Sequence, residues 1–170
     1  MTDLVMRQAT ADDAEAIHAL ISAHEREGHL LPRAIEELRR HAGRFVVSEA
    51  GGSLLACGEL APLSPTVAEV RSLVVKRDVR RVGLAARLVA DLQQRATRGG
   101  FETLCAFTHD ARFFVRQGFS IVPHLWVPEK ISTDCVSCAF FRQCRQFAMV
   151  LSLQTITREM PETMRPARVA

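Results

Sequence analysis

The stretch VVKRDVRRVGLAARL, residues 74–88, decides how this chain folds. Two β-formers lead into a charged segment, and a glycine and an alanine then open a helical pattern. The first turn of a helix has backbone N–H groups without intrahelical partners and the positive end of the dipole, so it attracts anions. Gly83 and Ala85 let an anion approach the backbone closely, and Arg80 and Arg81 add charge-assisted hydrogen bonds. The stretch predicts a diphosphate-binding turn; the alternative is a solvated arginine-rich loop.

The composition predicts a single globular domain. The chain has 170 residues, 48% of them apolar, and no apolar run approaches the length of a membrane span. The net charge of +3 is too small to indicate a nucleic-acid-binding protein. Five cysteines and a polar N-terminal segment unlike a signal peptide indicate reduced thiols in the cytoplasm. We expect no membrane and no nucleic acid among the partners, and we leave a homodimer open.

Hydrophobic periodicity predicts an α/β domain with the order β-α-α-β-β-β-α-β-α-β-β. The predicted strands are 4–9, 44–50, 53–61, 66–76, 103–108, 119–122 and 146–153. The predicted helices run from Thr10 to about residue 26, from Pro32 to Gly43, over 83–98 and over 110–117. Pro32 suits a first helical position, and Gly51 and Gly52 suit a hairpin turn. Residues 1–155 form the domain, and residues 156–170 are predicted to be a frayed tail.

The charged turn matches a known motif. Its signature positions are occupied by Val75, Arg80, Gly83 and Ala85. The segment resembles the acetyl-CoA-binding motif of the GNAT N-acetyltransferases, a valine, four residues and then Arg/Gln-x-x-Gly-x-Gly/Ala, although the family usually has glycine at position 81. A second stretch, ARFFVRQGF at 111–119, resembles the family's later helix beside CoA. The resemblance covers residues 4–153 and implies the GNAT fold, a mixed, mostly antiparallel sheet of six to seven strands flanked by about four helices.

The resemblance implies that acetyl-CoA is the cosubstrate, and we expect no metal to be required. It implies that backbone N–H groups of residues 81–85 hold the CoA diphosphate and that the backbone of residues 73–75 pairs with the pantetheine arm as an added strand does. It also implies that a backbone N–H near Val74 or Val75 is the oxyanion donor. The implied cofactor-binding residues are Leu73, Val74, Val75, Arg80, Arg81, Val82, Gly83, Leu84, Ala85 and Phe113.

A narrower resemblance concerns the late segment VPEKISTDCVSCAFFRQCRQFAMV, residues 127–150, together with AEVRSLVV at 68–75. Both are similar to the short amino-acid N-acetyltransferases of the N-acetylglutamate synthase type. The matching late residues are Pro128, Lys130, Ile131, Asp134, Cys135, Cys138, Phe141, Cys144, Ala148 and Met149. Arg145 and Gln146 stand where that group has an acidic pair, and Ser132 stands where tryptophan is common. The resemblance implies acetyl transfer to the α-amine of a small amino acid, L-glutamate or L-glutamine, in arginine biosynthesis.

Acetyl transfer to an amine needs a base, a binding site for the acceptor and a donor to the oxyanion. Glu69 and Arg71 lie two residues apart on a predicted strand, so they share one face at about 6.6 Å along the strand. The same alternation places Leu73 and Val75 on that face. We take Glu69 as the base, acting through water as the resemblance implies, and Arg71 as the ligand of the acceptor carboxylate. An ion pair between the two is the alternative, and Glu59 is the rival base.

Other acceptor contacts are less specific in sequence. Lys130 is a candidate for the acceptor carboxylate by its match to the family, against the alternative of an exposed lysine in a loop. The residues of the first strand and helical pair that could line an acceptor wall are Arg7, His24, His29 and Arg33. Nothing in the spacing of these four is specific.

The general acid of the family is missing. The chain contains no tyrosine, and Phe114, or Phe113 if the register slips, stands in its position. The CoA thiolate then leaves unassisted, since a thiol is a fair leaving group, or is protonated by water, Cys105 or His109. We favour His109 and Asp110 as the cap of the following helix.

Three cysteines, Cys135, Cys138 and Cys144, have part of a zinc-site spacing. A structural zinc ion needs four ligands, so we expect these thiols to be packed in the core.

Two other functions stay open at this point: a GNAT enzyme for another amine, such as a polyamine, a drug or a protein N-terminus, and a non-catalytic CoA- or zinc-binding regulatory module.

Overall fold

This computed structural model describes residues 4–25, 30–80 and 82–154, which contain seven strands and five α-helices. The strands are Val5–Gln8 (β1), Phe45–Ala50 (β2), Ser53–Pro62 (β3), Val67–Val75 (β4), Thr103–Thr108 (β5), Ser120–Val122 (β6) and Phe147–Ser152 (β7). The helices are Ala14–Glu25 (α1), Ile35–Arg40 (α2), Leu84–Arg98 (α3), Ala111–Arg116 (α4) and Pro128–Thr133 (α5). The predicted tail, 156–170, and the predicted end of the first helix near residue 26 lie outside the described residues.

The strands form one mixed sheet in the order β1-β2-β3-β4-β5-β7-β6. Every neighbouring pair is antiparallel except β4 and β5, which are parallel. Gly51 and Gly52, with φ of +57° and +73°, make the predicted hairpin turn between β2 and β3, as a turn with two positive φ angles requires. The predicted α/β fold with a mixed, mostly antiparallel sheet is confirmed.

The parallel pair β4 and β5 separates before either strand ends. The ladder between them stops where Val70 lies opposite Ala106, but β4 continues over residues 71–75 and β5 over residues 107–108. We call the opening between these two segments the fork. The backbone N–H and C=O groups of residues 71–75 that point into the fork, away from β3, have no strand partner among the described residues.

A bulge at Ser72 interrupts β4 at the fork. Cys57 lies opposite Val74 and Glu59 lies opposite Arg71, so three steps along β4 match two steps along β3. Ser72 has a φ of +47° and is the one non-glycine residue with positive φ in the described ranges. An extra residue in a strand moves every following side chain to the other face of the sheet.

The bulge corrects the prediction that four residues of β4 share a face. Glu69 and Arg71 lie together, on the face that meets α5. Leu73 and Val75 instead pack with the core that α3 covers. The prediction assumed unbroken alternation, which holds only up to the inserted residue at Ser72.

Helices cover both faces of the sheet. On one face, α3 contributes Leu84, Leu88 and Leu92, each at most 2% exposed. On the other face, α1 and α2 contribute Ile17 and Leu38, both fully buried. Each such side chain stabilises the fold by about 1.5–3 kcal/mol through burial. The two layers fix the sheet, and with it the fork.

The second helix begins later than predicted. α2 starts at Ile35, three residues after Pro32. Ala34 is extended, with a ψ of 135°, and Arg33 reaches the sheet to pair with the buried carboxylate of Glu59. This ion pair draws the segment toward the sheet and away from a helical path. The sequence pattern does not predict α5, because its six residues, PEKIST, include a single aliphatic side chain, Ile131, besides the proline and so show no apolar period.

Arg7 on β1 ties the start of α1 to the sheet. Its guanidinium donates to Asp13 at 2.8 Å and to Glu49 of β2 at 2.7 Å. Asp13 Oδ2 also accepts from the backbone N–H of Thr10 at 2.8 Å. The hydrogen bond from Arg7 is the main cause that lowers the pKa of Asp13 to about 2.

We predict that Asp13→Asn lowers the free energy of unfolding by about 1–2 kcal/mol at pH 7. Because the folded-state pKa is lowered, this stabilisation is complete above the unfolded pKa of about 3.9 and is lost as the pH falls toward 2. Urea unfolding is therefore expected to show a smaller difference between wild type and variant at pH 3 than at pH 7. An equal difference at both pH values contradicts the ion-pair explanation, and Glu15→Gln, at the exposed start of α1, is the control.

Candidate active site

The fork exposes one edge of β4 to an extended ligand. On the β5 side, residues 71–75 pair with no strand among the described residues. An unpaired strand edge offers a row of N–H and C=O groups to a ligand that lies beside it. Crevices at the carboxyl ends of parallel strands are also the usual ligand sites of open α/β sheets. The residues predicted to pair with pantetheine, Leu73, Val74 and Val75, all lie on this edge.

The turn after β4 leaves the start of α3 without a side-chain cap. Gly83 is the N-cap, with a φ of +79°, and no side chain caps the helix. The N–H groups of its first turn are therefore left to solvent or to a ligand. Leu84 is 2% exposed in the core, so at this position only the backbone faces the turn, and Ala85 adds no more than a methyl group.

The residues that flank this turn differ in their contacts. Arg80 Nε donates to the carbonyl oxygen of Val75 at 3.2 Å, which ties the turn to the end of β4. The side chain of Val82 is 66% exposed. Phe113, on α4, packs against the α3-side core. Arg81, the remaining residue predicted to contact the cofactor, lies outside the described residues.

Four charged side chains meet beside the fork, and we call Glu69, Arg71, Lys130 and Asp134 the fork cluster. Arg71 Nε donates to Glu69 Oε2 at 2.5 Å, and Lys130 Nζ donates to Glu69 Oε1 at 2.8 Å. Both cations also donate to Asp134 Oδ2. Lys130 Nζ lies 5.4 Å from the ring centroid of Phe107, on the β5 side of the fork. The cluster thus brings a strand and a distant helix together at the opening.

The fork cluster bears on two alternatives that the sequence leaves open. Glu69 and Arg71 do form an ion pair, and Lys130 is no exposed loop residue, since it lies on α5 with its side chain 15% exposed. Burial alone would lower the pKa of Arg71, but the charges of Glu69 and Asp134 raise it. Asp134 is one of the residues that match the amino-acid acetyltransferases, but the sequence interpretation gives it no role. Its position four residues after Lys130 is the spacing of a helical ion pair and could have indicated their contact.

A second set of polar groups holds the bulge, and we call Arg33, Glu37, Glu59 and Ser72 the bulge cluster. Arg33 Nη1 donates to Glu59 Oε2 at 2.8 Å and to Ser72 Oγ at 2.9 Å. Arg33 Nη2 donates to Glu37 Oε1 at 2.8 Å. Glu59 is 1% exposed, so the rival base is a buried carboxylate with a bound cation.

The other residues considered for an acceptor wall have structural contacts. Arg7 is engaged by Asp13 and Glu49. His24 is buried in α1, with Nδ1 2.8 Å from the carbonyl oxygen of Leu20. His29 lies outside the described residues.

Of the two side chains considered as proton donors to a CoA thiolate, Cys105 fits that role poorly. Cys105 lies opposite Glu69 in the ladder, and burial raises the pKa of its thiol well above the ordinary value, which makes it a weaker acid than a free thiol. Asp110 Oδ1 accepts from the backbone N–H of Phe113 at 3.1 Å, as the predicted helix cap requires. Phe114 is 5% exposed in the core and carries no exchangeable proton.

The prediction that three cysteines pack in the core is wrong. Cys135 and Cys138 are half-buried, and Cys144 is exposed, because they lie on short 3-10 turns and a loop that follow α5 on the surface. Cys144 Sγ lies 3.9 Å from His124 Nε2. Within residues 4–25, 30–80 and 82–154, no group of three or more histidine, cysteine, aspartate or glutamate residues is arranged to hold a metal ion.

In the same residues, no helix has both the length and the apolar character needed to cross a membrane.

A family model described as the acetyltransferase (GNAT) family matches residues 8–119, and the chain belongs to this family. An uncharacterized N-acetyltransferase of Chlorobaculum tepidum is 30% identical over 151 residues, which cover 89% of this chain and 97% of that protein. An amino-acid acetyltransferase of Pseudomonas putida is 34% identical over 118 residues, which cover 68% of this chain and 27% of that protein. The chain thus spans about a quarter of the length of the amino-acid acetyltransferases it matches.

Solved structures agree with this family. N-acetylglutamate synthase from Neisseria gonorrhoeae, complexed with coenzyme A and N-acetyl-glutamate, matches with a TM-score of 0.80 and 27% identity, over 91% of this chain and 36% of that one. A chain from Mycobacterium tuberculosis shares the fold with a TM-score of 0.75 and 23% identity, over 88% of this chain and 99% of that one.

We predict that glycine is better tolerated than alanine at Ser72. Ser72→Ala removes the hydroxyl that accepts from Arg33, so it is expected to lower the free energy of unfolding by about 1–2 kcal/mol, and like serine it keeps a Cβ at positive φ. Ser72→Gly loses the same bond but relieves the backbone, so it should be more stable than the alanine variant by about 0.5–1 kcal/mol. Urea unfolding measures both. In a regular strand the order is the opposite, so a less stable glycine variant contradicts the bulge.

Proposed function

We propose that this chain transfers the acetyl group of acetyl-CoA to the α-amine of a small amino acid, with L-glutamate and L-glutamine as the leading acceptors. The observation that carries the proposal is the fork cluster. Glu69, Arg71 and Lys130 bring one carboxylate and two cations into contact at the opening of the sheet. An α-amino acid carries its amine and its carboxylate on one carbon, so it needs a base and a cation within a few ångströms of each other.

The cofactor in this proposal is acetyl-CoA, held mainly by backbone. The N–H groups at the start of α3 bind the diphosphate, and the free edge of β4 pairs with the pantetheine arm. The residues assigned to the cofactor are Leu73, Val74, Val75, Arg80, Arg81, Val82, Gly83, Leu84, Ala85 and Phe113. A pantetheine arm that lies along residues 73–75 directs the thioester toward Glu69 and Arg71, two to four residues upstream on the same strand.

The proposed reaction is direct transfer. The α-amine is mostly protonated at neutral pH, so Glu69 takes its proton through a water molecule. The amine nitrogen then attacks the thioester carbon, and a backbone N–H near Val74 or Val75 binds the oxyanion. The nitrogen of the tetrahedral intermediate releases its second proton to water, and the carbon–sulfur bond breaks as the amide forms. The CoA thiolate leaves without a protein acid and takes a proton from solvent. No metal takes part in this scheme.

The cations favour a carboxylate-bearing acceptor over other amines. Arg71 and Lys130 can each bind a carboxylate, a group that a polyamine or a cationic drug lacks. The similarity to an N-acetylglutamate synthase complexed with N-acetyl-glutamate and to amino-acid acetyltransferases supports the same class of acceptor. The placement of the reaction in arginine biosynthesis rests on this similarity alone.

The first experiment incubates the protein with acetyl-CoA and a panel of amino acids, polyamines and an N-terminal peptide. Mass spectrometry reads the products, because a thiol reagent also reacts with the protein's cysteines. We expect acetylated L-glutamate or L-glutamine, a loss in kcat of about 100-fold or more for Glu69→Gln, and a rise in KM for the amino acid of about 10-fold or more for Arg71→Ala.

Glu36→Gln, an exposed change of the same kind on α2, is the control and should leave both constants unchanged. Acetylation of a polyamine or a peptide instead would overturn the acceptor assignment. Full activity of Glu69→Gln would remove Glu69 as the base and return Glu59 to consideration. Bound CoA without any product would favour the non-catalytic module.

Two glycines allow a matched test of the diphosphate site. Gly83 and Gly100 have φ of +79° and +80° at opposite ends of α3, and a Cβ added at either meets no protein atom within 4 Å. We expect Gly83→Ala and Gly100→Ala to lower the free energy of unfolding equally, by about 1 kcal/mol. Only Gly83→Ala should weaken CoA binding, by about 10-fold or more in calorimetry. Equal CoA affinities of the two variants would contradict the proposed cradle.

A further inference from the structure

One oxygen of Asp134 binds both cations of the fork cluster. Asp134 Oδ2 accepts from Lys130 Nζ at 2.8 Å and from a terminal nitrogen of Arg71. These are the two groups to which the proposed function assigns the acceptor carboxylate. The structure therefore contains a carboxylate of the protein itself where the carboxylate of an amino acid is expected.

The two carboxylates of the fork cluster differ in how they are held. Glu69 lies inside the sheet on β4, and its side chain is 4% exposed. Asp134 follows the last residue of α5, a helix of six residues, and its side chain is 34% exposed. Asp134 is therefore the more solvent-accessible of the two carboxylates. Because Asp134 is partly exposed, water can solvate its carboxylate at a low cost in free energy when its contacts with the cations break.

The shared contacts of Asp134 favour exchange over addition. The fork cluster holds two cations and two carboxylates. One oxygen of Asp134 already accepts from both cations, so the carboxylate of an acceptor binds Arg71 and Lys130 in competition with it. Replacement of Asp134 by the carboxylate of the acceptor keeps both Arg71 and Lys130 paired and leaves Glu69 where it is.

We propose that Asp134 is an intramolecular stand-in for the carboxylate of the acceptor, which occupies the acceptor site until a free amino acid displaces it. The proposal rests on the proposed function. It adds a determinant of affinity and specificity: the tethered carboxylate lowers the fraction of protein that is competent to bind, so the apparent affinity for the acceptor falls by the same factor. Molecules with an amine but no carboxylate cannot replace what Asp134 supplies.

The test is the variant Asp134→Asn, which keeps the size of the side chain and one acceptor oxygen but removes the charge. KM and kcat are measured for the amino acid that wild type acetylates best and for its α-carboxamide, which lacks the free carboxylate. L-Glutamate is also titrated calorimetrically into the CoA-loaded protein. We expect KM and the dissociation constant for the free amino acid to fall about five-fold, kcat to change less than KM, and KM for the carboxamide not to improve.

Glu129→Gln removes the same charge from α5 without removing a partner of Arg71 or Lys130, and it should leave KM within about two-fold. A rise in KM for Asp134→Asn would overturn the proposal and make Asp134 a positioning residue for the two cations. An equal gain for the carboxamide, or for Glu129→Gln, would reduce the effect to net charge and also overturn it. If neither wild type nor Asp134→Asn acetylates or binds any amino acid of the panel, the proposed function itself fails, and the stand-in with it.

Discussion

The residue inserted into β4 at Ser72 determines where the side chains of the site point. Before it, Glu69 and Arg71 face the helix α5; after it, Leu73 and Val75 face α3 and complete the core. Because a slip of one residue reverses every later side chain, a straight strand would turn those apolar side chains toward the fork cluster and take them from α3. The bulge therefore lets one strand supply charges to one layer and apolar contacts to the other.

Each charged cluster also connects the sheet to a segment outside it. Arg33, just before α2, neutralises the buried Glu59 and donates to the hydroxyl of Ser72. Lys130, on α5, neutralises the buried Glu69. Buried ion pairs add little net stability, yet losing one partner is costly because a bare charge remains. The two helical segments are thereby held in position beside the fork and the bulge.

Local signals account for the parts of the fold that the sequence predicts. The strand patterns, the Gly51–Gly52 hairpin and the helix start at Gly83 each depend on a few neighbouring residues, and the family motif extends them to a whole architecture. The bulge has no such signal, since serine rarely adopts positive φ and only the register with β3 demands it. The same holds for the late start of α2, which depends on a partner for Arg33 that lies 26 residues away.

In the candidate site, too, local sequence signals predict some features and miss those that depend on distant residues. Glu69, Arg71 and Lys130 could be chosen from strand alternation and family likeness, but their mutual contacts and the part of Asp134 depend on tertiary structure. Asp134 lies 63 residues from Arg71 in sequence, and no periodicity relates them. The surface position of the three late cysteines was likewise hidden, because the short 3-10 turns that carry them leave no pattern.

The open edge of β4 has a consequence for how this protein tolerates change over evolutionary time. At positions 73 and 75 the side chains belong to the core, whereas the groups offered at the fork are the peptide N–H and C=O, which nearly every amino acid possesses. Substitutions that repack the interior can therefore accumulate at these positions without removing the N–H and C=O groups that a ligand beside the strand would bind. When a ligand is bound through the main chain, the side chains of the core can change without changing the groups that bind it. Sequences of this fold can therefore diverge widely while the open edge of β4 remains able to pair with a ligand.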